Sequence, residues 1–396
     1  MDSTYVRKGF GLKREIEGEL AAYHSGLVDR LRAENYVLTV GDLTLRLARE
    51  FGFCYGVDRA VEYAYESRRK FPDRQLFLVG EIIHNPHVNR RLEEMGVTIL
   101  GYDPNGAFDF SAINAADVVL MPAFGVTVQD FQRLRALGCV VVDTTCGSVL
   151  NVWKRVERYA KEGFTAVVHG KHYHEETKAT VSQVTKYEGG QYLIVRDMDE
   201  ALVLCRWIER GDNADDIRRL FTDRVSAGFD FDRDLARIGV ANQTTMLAKE
   251  SLAIAERIGQ ALAARYGEAT LAEHFRSFDT ICSATQDRQD AVLELIDQDL
   301  DVMLVVGGYN SSNTSNLATI CAQRVPTYHI ADASCINPTT GTIRHKPVDS
   351  TQEAETPDWL DGVKNIGLTA GASTPNNKVG EAVERVLETR GLRLDG

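Results

Sequence analysis

The run Val140-Val141-Val142-Asp143-Thr144-Thr145-Cys146 limits the possible folds more than any other stretch of the chain. Consecutive β-branched residues with no polar alternation predict a strand buried on both faces. Such strands belong to parallel sheets covered by helices, and this one ends by handing a thiol to the turn before a helical pattern at 148–161. The same order recurs. Strands are expected at 44–48, 75–79, 118–121, 165–168, 238–240, 302–306 and 365–368, and helical patterns at 57–70, 86–95 and 128–137. Strand followed by helix, repeated, predicts an α/β fold with mainly parallel sheets. Cys54 in Gly52-Phe53-Cys54 and Cys282 in Thr280-Ile281-Cys282 also stand just ahead of helical patterns. These three separated thiols are expected to meet at one point.

At 396 residues the chain has room for two or three domains. A net charge of −12 argues against a general nucleic-acid surface, because phosphate binding depends on Lys and Arg releasing counterions. No apolar run is long enough to span a bilayer, and the N-terminal stretch has neither a signal-peptide core nor the acid-poor composition of a transit peptide. The expected location is the cytoplasm. Seven cysteines without framework spacing suggest reduced thiols or a metal site rather than a disulfide scaffold. Residues 13–36, with Ile16, Leu20, Tyr23, Leu27 and Leu31 at helical spacing, predict an amphipathic helix packed on the main body. Residues 209–234 and 332–357 look like inserted surface excursions.

Ligands in parallel α/β folds bind beyond the carboxyl ends of the strands. The turns beyond the strands are polar here: Glu81-Ile82-Ile83-His84-Asn85, Pro122-Ala123-Phe124-Gly125, His169 to Thr177, Asn242-Gln243-Thr244-Thr245, Gly307 to Asn313 and Thr369 to Pro375. Cys139, Cys205, Cys321 and Cys335 are expected to be ordinary buried thiols. No C-x-x-C pair is present, which excludes the usual zinc and ferredoxin spacings. Ser311, Ser312, Asn313 and Ser373 precede helices, so they are N-caps, or donors of an anion site, or both. With His84 and His174 they could hold a diphosphate without Lys or Arg. His169, His172 and His174 alternate, but no fourth metal ligand is apparent. Glu176 is either a capping carboxylate or a proton donor whose partly desolvated pocket would suit acid catalysis.

The motifs Gly52-Phe53-Cys54, Glu81 to Asn85, Asp143 to Cys146, His174-Glu175-Glu176, Gln243-Thr244-Thr245, Asn310 to Asn313 and Thr369 to Ser373 together resemble the 4-hydroxy-3-methylbut-2-enyl diphosphate reductase family. These are iron–sulfur enzymes of the non-mevalonate isoprenoid pathway. The resemblance runs in order from about residue 43 to residue 387. It implies three similar α/β domains in a trefoil around a 4Fe-4S cluster held by Cys54, Cys146 and Cys282, with one iron open to the substrate hydroxyl. The domains implied are a helical extension at 1–42, then 43–146, 147–281 and 282–396. It further implies reductive dehydroxylation to isopentenyl and dimethylallyl diphosphate. Glu176 would be the acid, with His174 and Thr244 in the relay, and the diphosphate would sit among His84, His174, Ser311, Ser312, Asn313 and Ser373.

Two positions depart from the commonest bacterial pattern. Phe124 stands where many members place a diphosphate-binding histidine, and Gly147-Ser148 replaces the usual proline after Cys146, which predicts a looser turn. Phe124, the N-terminal extension and the inserted loops resemble the cyanobacterial and plastid branch. That implies an electron donor protein, ferredoxin or flavodoxin. The nearest alternative is a quinolinate-synthase-like iron–sulfur dehydratase, for whose carboxylate substrate arginine would be the more natural partner. A non-catalytic iron–sulfur sensor would more naturally carry four ligands.

Overall fold

The computed structural model of the chain describes residues 4–104, 106–211, 214–278 and 280–394. The chain forms two compact units: Met1–Arg7, Phe77–Gly80 and Ile99–Cys282 make one, and Lys8–Leu76, Glu81–Thr98 and Ser283–Gly396 make the other. Helices and mainly parallel strands alternate throughout, as the pattern of β-branched runs predicts.

One five-stranded sheet runs in the order Tyr5–Val6, Val140–Asp143, Val118–Met121, Leu76–Val79, Val97–Leu100. Val140–Asp143 is an interior strand of it, buried at every position and parallel to both neighbours, which is the environment that an unbroken β-branched run requires. A second sheet has four parallel strands in the order Phe275–Ser277, Ile238–Asn242, Thr165–His169, Tyr192–Val195. The third has the order Thr327–Ile330, Val302–Val306, Asn365–Ala370, Leu43–Leu47, Val37–Val40, with only the last pair antiparallel. Leu43–Leu47 therefore pairs with a strand from the far end of the chain rather than with the sequence just after it.

Several expectations are corrected. Residues 13–36 do not make one helix: a 3-10 turn at Lys13–Ile16 and helices at Glu17–Ala21 and Gly26–Ala33 are separated where Ser25 accepts a capping bond from the Val28 amide. Their apolar residues do pack inward, with Ile16, Val28 and Leu31 fully buried. The stretch 209–234 is not a mere surface excursion. It contains the helix Ala214–Phe221, and Ile217, Phe221 and Phe231 enter the core beside Trp207, whose indole donates to the Phe231 carbonyl. The stretch 332–357 likewise folds as an antiparallel sheet of Ile336–Asn337, Thr342–His345 and Ala354–Thr356, burying Cys335, Ile336 and Ile343. Among the described residues, no helix is long and apolar enough to cross a membrane.

Candidate active site

In the first unit the site grows from two strand ends. Thr144 donates its hydroxyl to the Met121 carbonyl at 2.6 Å, and the Thr145 amide is held by Asp143 Oδ1 at 2.9 Å. These bonds fix the turn that delivers Cys146. Its amide donates to the Ala123 carbonyl at 2.8 Å, and it is the N-cap residue of Gly147–Lys161 with no capping bond from its sulfur. Gly147 begins the helix directly after Cys146. Ser148, one residue further on, lies with its Oγ 3.2 Å from Cys282 Sγ. Cys146 and Cys282 thus reach the same neighbourhood from sequence positions far apart.

Thr244 links the second thiol to the acid. Its carbonyl accepts from the Cys282 amide at 3.4 Å, and its amide donates to Glu176 Oε1 at 2.6 Å. Glu176 is 2% exposed. It is not a helix cap; that role falls to His174, whose Nδ1 accepts from the Glu176 amide at 3.1 Å. A neutral imidazole that accepts at Nδ1 carries its proton on Nε2. The Phe124 ring stands edge-on to His174, with centroids 6.2 Å apart. Gln243 braces the strand ends, its Oε1 accepting from the Lys171 amide and the Thr177 hydroxyl at 3.1 Å each.

His169 is structural. Nδ1 faces Ser251 Oγ at 2.8 Å, Nε2 faces the Arg196 carbonyl at 3.2 Å, and burial pushes the ring down to about 4. Both ring nitrogens are engaged by protein, which leaves none for a metal.

The second unit carries the remaining predicted residues. Cys54 is the N-cap residue of Tyr55–Lys70, its amide held by the Ala372 carbonyl at 3.2 Å beyond the strand Asn365–Ala370. Nearby in that unit, Ser311 caps Ser312–Ala322, accepting from the Thr314 amide at 3.3 Å, and Ser373 Oγ donates to the His84 carbonyl at 3.2 Å. Ser311 therefore has its structural role filled. Ser312 and Asn313 do not: Ser312 Oγ and Asn313 Nδ2 are buried without a hydrogen-bond partner among the described residues. Asn313 Oδ1 is occupied, accepting from the Ala372 amide at 2.9 Å. Buried donors left open in this way mark a place prepared for an acceptor. Two glycines close by leave no room for a side chain. A Cβ on Gly308 would lie 2.8 Å from the His84 carbonyl oxygen, and one on Gly371 would lie 1.9 Å from Thr314 Oγ1.

Two contributors escaped the sequence reading. Glu81 holds His84 Nδ1 at 2.8 Å through Oε2, and Asn310 Nδ2 donates to that same oxygen at 2.9 Å. Three-residue spacing between Glu81 and His84 was the available signal. Ser148 is the other, and no signal in the sequence marks it. Among the remaining cysteines, burial raises the Cys139 thiol and pushes Cys205 and Cys321 up to about 12, as buried hydrophobes behave. Cys335 is buried too, whereas Cys54, Cys146 and Cys282 are half-buried.

The LytB protein family matches residues 45–387. The 4-hydroxy-3-methylbut-2-enyl diphosphate reductase of Gloeobacter violaceus (strain ATCC 29082 / PCC 7421) is 45% identical over 399 residues, covering 99% of this chain and 94% of the relative. A chloroplastic enzyme of that name from Botryococcus braunii is 45% identical, covering 94% of this chain and 74% of its own length. The solved structure of (E)-4-hydroxy-3-methyl-but-2-enyl diphosphate reductase, the terminal enzyme of the non-mevalonate pathway, superposes with a TM-score of 0.53 at 27% identity, over 87% of this chain and 99% of that one.

Proposed function

The chain belongs to the LytB family, and on that premise we propose that it reduces 4-hydroxy-3-methylbut-2-enyl diphosphate to isopentenyl and dimethylallyl diphosphate. The observation that carries the reading is the Thr244 residue, whose amide donates to a buried carboxyl on one side and whose carbonyl accepts from the backbone amide of half-buried Cys282 on the other. An acid and a metal ligand sharing one backbone unit suit chemistry in which a C–O bond breaks at a metal.

Cys54, Cys146 and Cys282 would hold a 4Fe-4S cluster, and the donor set fits. Three half-buried thiols at or just before helix starts, none in a disulfide, are what such a centre needs. When bound, the cluster supplies single electrons and Lewis acidity at its uncoordinated iron.

The rest falls to the chain. Ser312 Oγ and Asn313 Nδ2, with His84, Ser311 and Ser373 around them, would hold the diphosphate through neutral donors. His174 would donate from Nε2, its orientation set by the Glu176 amide. Glu176 would protonate the departing oxygen, with the Thr244 hydroxyl passing the proton on. The balance is two electrons and two protons in, water out, one C–O bond broken and one C–H bond formed. The electrons would come from ferredoxin or flavodoxin, in the cytoplasm.

An anaerobic assay of the iron-reconstituted protein with dithionite and the substrate, reading products by mass, tests this. Both five-carbon diphosphates should form. Glu176→Gln should cut turnover about 10²- to 10⁴-fold with iron content retained, because the glutamine carbonyl can still accept from the Thr244 amide. Substrate returned unchanged by a loaded protein would overturn the assignment.

A further inference from the structure

Arg288 lies on the helix Ser283–Ile296, a turn and a half past Cys282, and is 4% exposed. Its Nη2 donates to the Gly52 carbonyl at 2.7 Å, and its Nη1 to the Ala284 carbonyl of its own helix at 2.7 Å. Nε is buried with no hydrogen-bond partner, and no carboxylate pairs with the guanidinium among the described residues. Asp58 is an acidic group within its field, but no hydrogen bond or ion pair joins it to the guanidinium among the described residues.

A buried guanidinium with no anion paired to it is among the costlier things a fold can keep. Carbonyl oxygens satisfy part of its hydrogen bonding but none of its charge. The carbonyl it grips belongs to Gly52, two residues before Cys54. Gly52 sits at φ +73, where its missing Cβ would otherwise lie 2.9 Å from Asn376 Oδ1. The turn is thus specified twice, by a glycine that permits it and an arginine that ties it down.

Resting on the functional reading above, we propose that Arg288 is a positioning residue for the iron–sulfur centre. Its buried guanidinium fixes the turn that carries Cys54 and supplies positive charge on that side of the cluster. The missing counterion of the arginine is then the thiolate-bound cluster itself. A fixed cation favours the reduced, more negative form of such a centre, because net local charge sets its potential.

The test is a mediated redox titration of the reconstituted holoprotein under anaerobic conditions, followed by electron paramagnetic resonance, with iron content and apo-protein melting measured alongside. Arg288→Gln should lower the equilibrium constant for one-electron reduction about tenfold, which corresponds to about 59 mV. Arg288→Lys, which keeps the charge, should stay within about threefold of the wild type. An unchanged potential in a fully loaded Arg288→Gln protein overturns the proposal. Should the glutamine variant lose its iron while its apo form melts normally, recovery of loading in Arg288→Lys supports the proposal. Loss of the cluster in both variants reduces Arg288 to a packing residue and overturns it. Wild-type protein that assembles no cluster overturns both readings, whereas a cluster without product formation overturns only the functional one.

Discussion

Asn313→Asp separates the two jobs of one side chain. Asn313 is 3% exposed; its Oδ1 takes the Ala372 amide at 2.9 Å, and its Nδ2 is the buried donor left open. Aspartate has the same shape and keeps an oxygen for the Ala372 amide, so the tie between the two loops survives. Only the other atom changes, from donor to anion. A hydrogen bond to a charged partner is worth about 1.5–3 kcal/mol, and about 1.4 kcal/mol is a factor of ten. Losing it should weaken diphosphate binding about 10- to 150-fold, with repulsion between the two anions adding to that. Titration calorimetry of the holoprotein near neutral pH, with inorganic diphosphate and then with substrate, reads the change. Affinity should recover as the pH falls and the new carboxyl protonates, since a neutral acid can donate again. Binding within twofold of wild type at neutral pH would show that Asn313 does not face the anion. Asn313→Ala is the contrast: it also orphans the Ala372 amide, and about 1–3 kcal/mol of stability should go with it.

Gly371→Ala should raise the substrate KM and lower stability by about 1–3 kcal/mol, because the new Cβ falls 1.9 Å from Thr314 Oγ1 and 2.9 Å from Thr314 Cβ. Adding Thr314→Ala should recover part of both losses, measured by denaturant midpoint and initial rates. Stability should also fall on mild acidification. Burial lowers both His169 and His329 to about 4, so each is neutral in the fold while the unfolded chain protonates near 6.5. The unfolded state then binds more protons between those values. The stabilisation is complete above about pH 6.5 and is lost as the pH falls toward 4, amounting to roughly 2 kcal/mol per histidine at pH 5. Urea midpoints at pH 7 and pH 5 check this, and His169→Gln should flatten the dependence.

The central strands were legible because a parallel strand covered on both faces must be apolar at every position, and Val118–Met121 and Val302–Val306 lie where their runs predict. Edge strands leave no such mark. Tyr192–Val195 and Thr327–Ile330 are four residues each, too short for periodicity to separate them from loop. The inserted stretches misled for a different reason: their charge is real, but a few residues such as Phe221 and Ile343 anchor them in the core. Within the site, residue types at strand ends could be read, but pairings could not. Glu81 meets Asn310 across 229 positions, and Arg288 meets Gly52 across 236. Nor could sequence divide Ser311 from Ser312. Both are serines at a helix start, and a single residue of backbone register decides that the first caps and the second stays open.

The way the acid is held bears on why this geometry suits reduction at a metal. Glu176 is held by the backbone amide of Thr244, and the carbonyl of that same threonine holds the backbone of Cys282. The separation between the Glu176 carboxyl and the Cys282 backbone is therefore set by the covalent geometry of one residue and two hydrogen bonds, and only the Cys282 side-chain torsion then places the thiol. A metal held by that thiol would be in register with the acid whether or not substrate is present, so little ordering cost remains for the reacting complex. The proposed diphosphate cradle would show the same economy in its electrostatics. In a chain of net charge −12, open neutral donors such as Ser312 and Asn313 would hold an anion without burying lysine beside it, which would leave the guanidinium of Arg288 for the turn carrying Cys54.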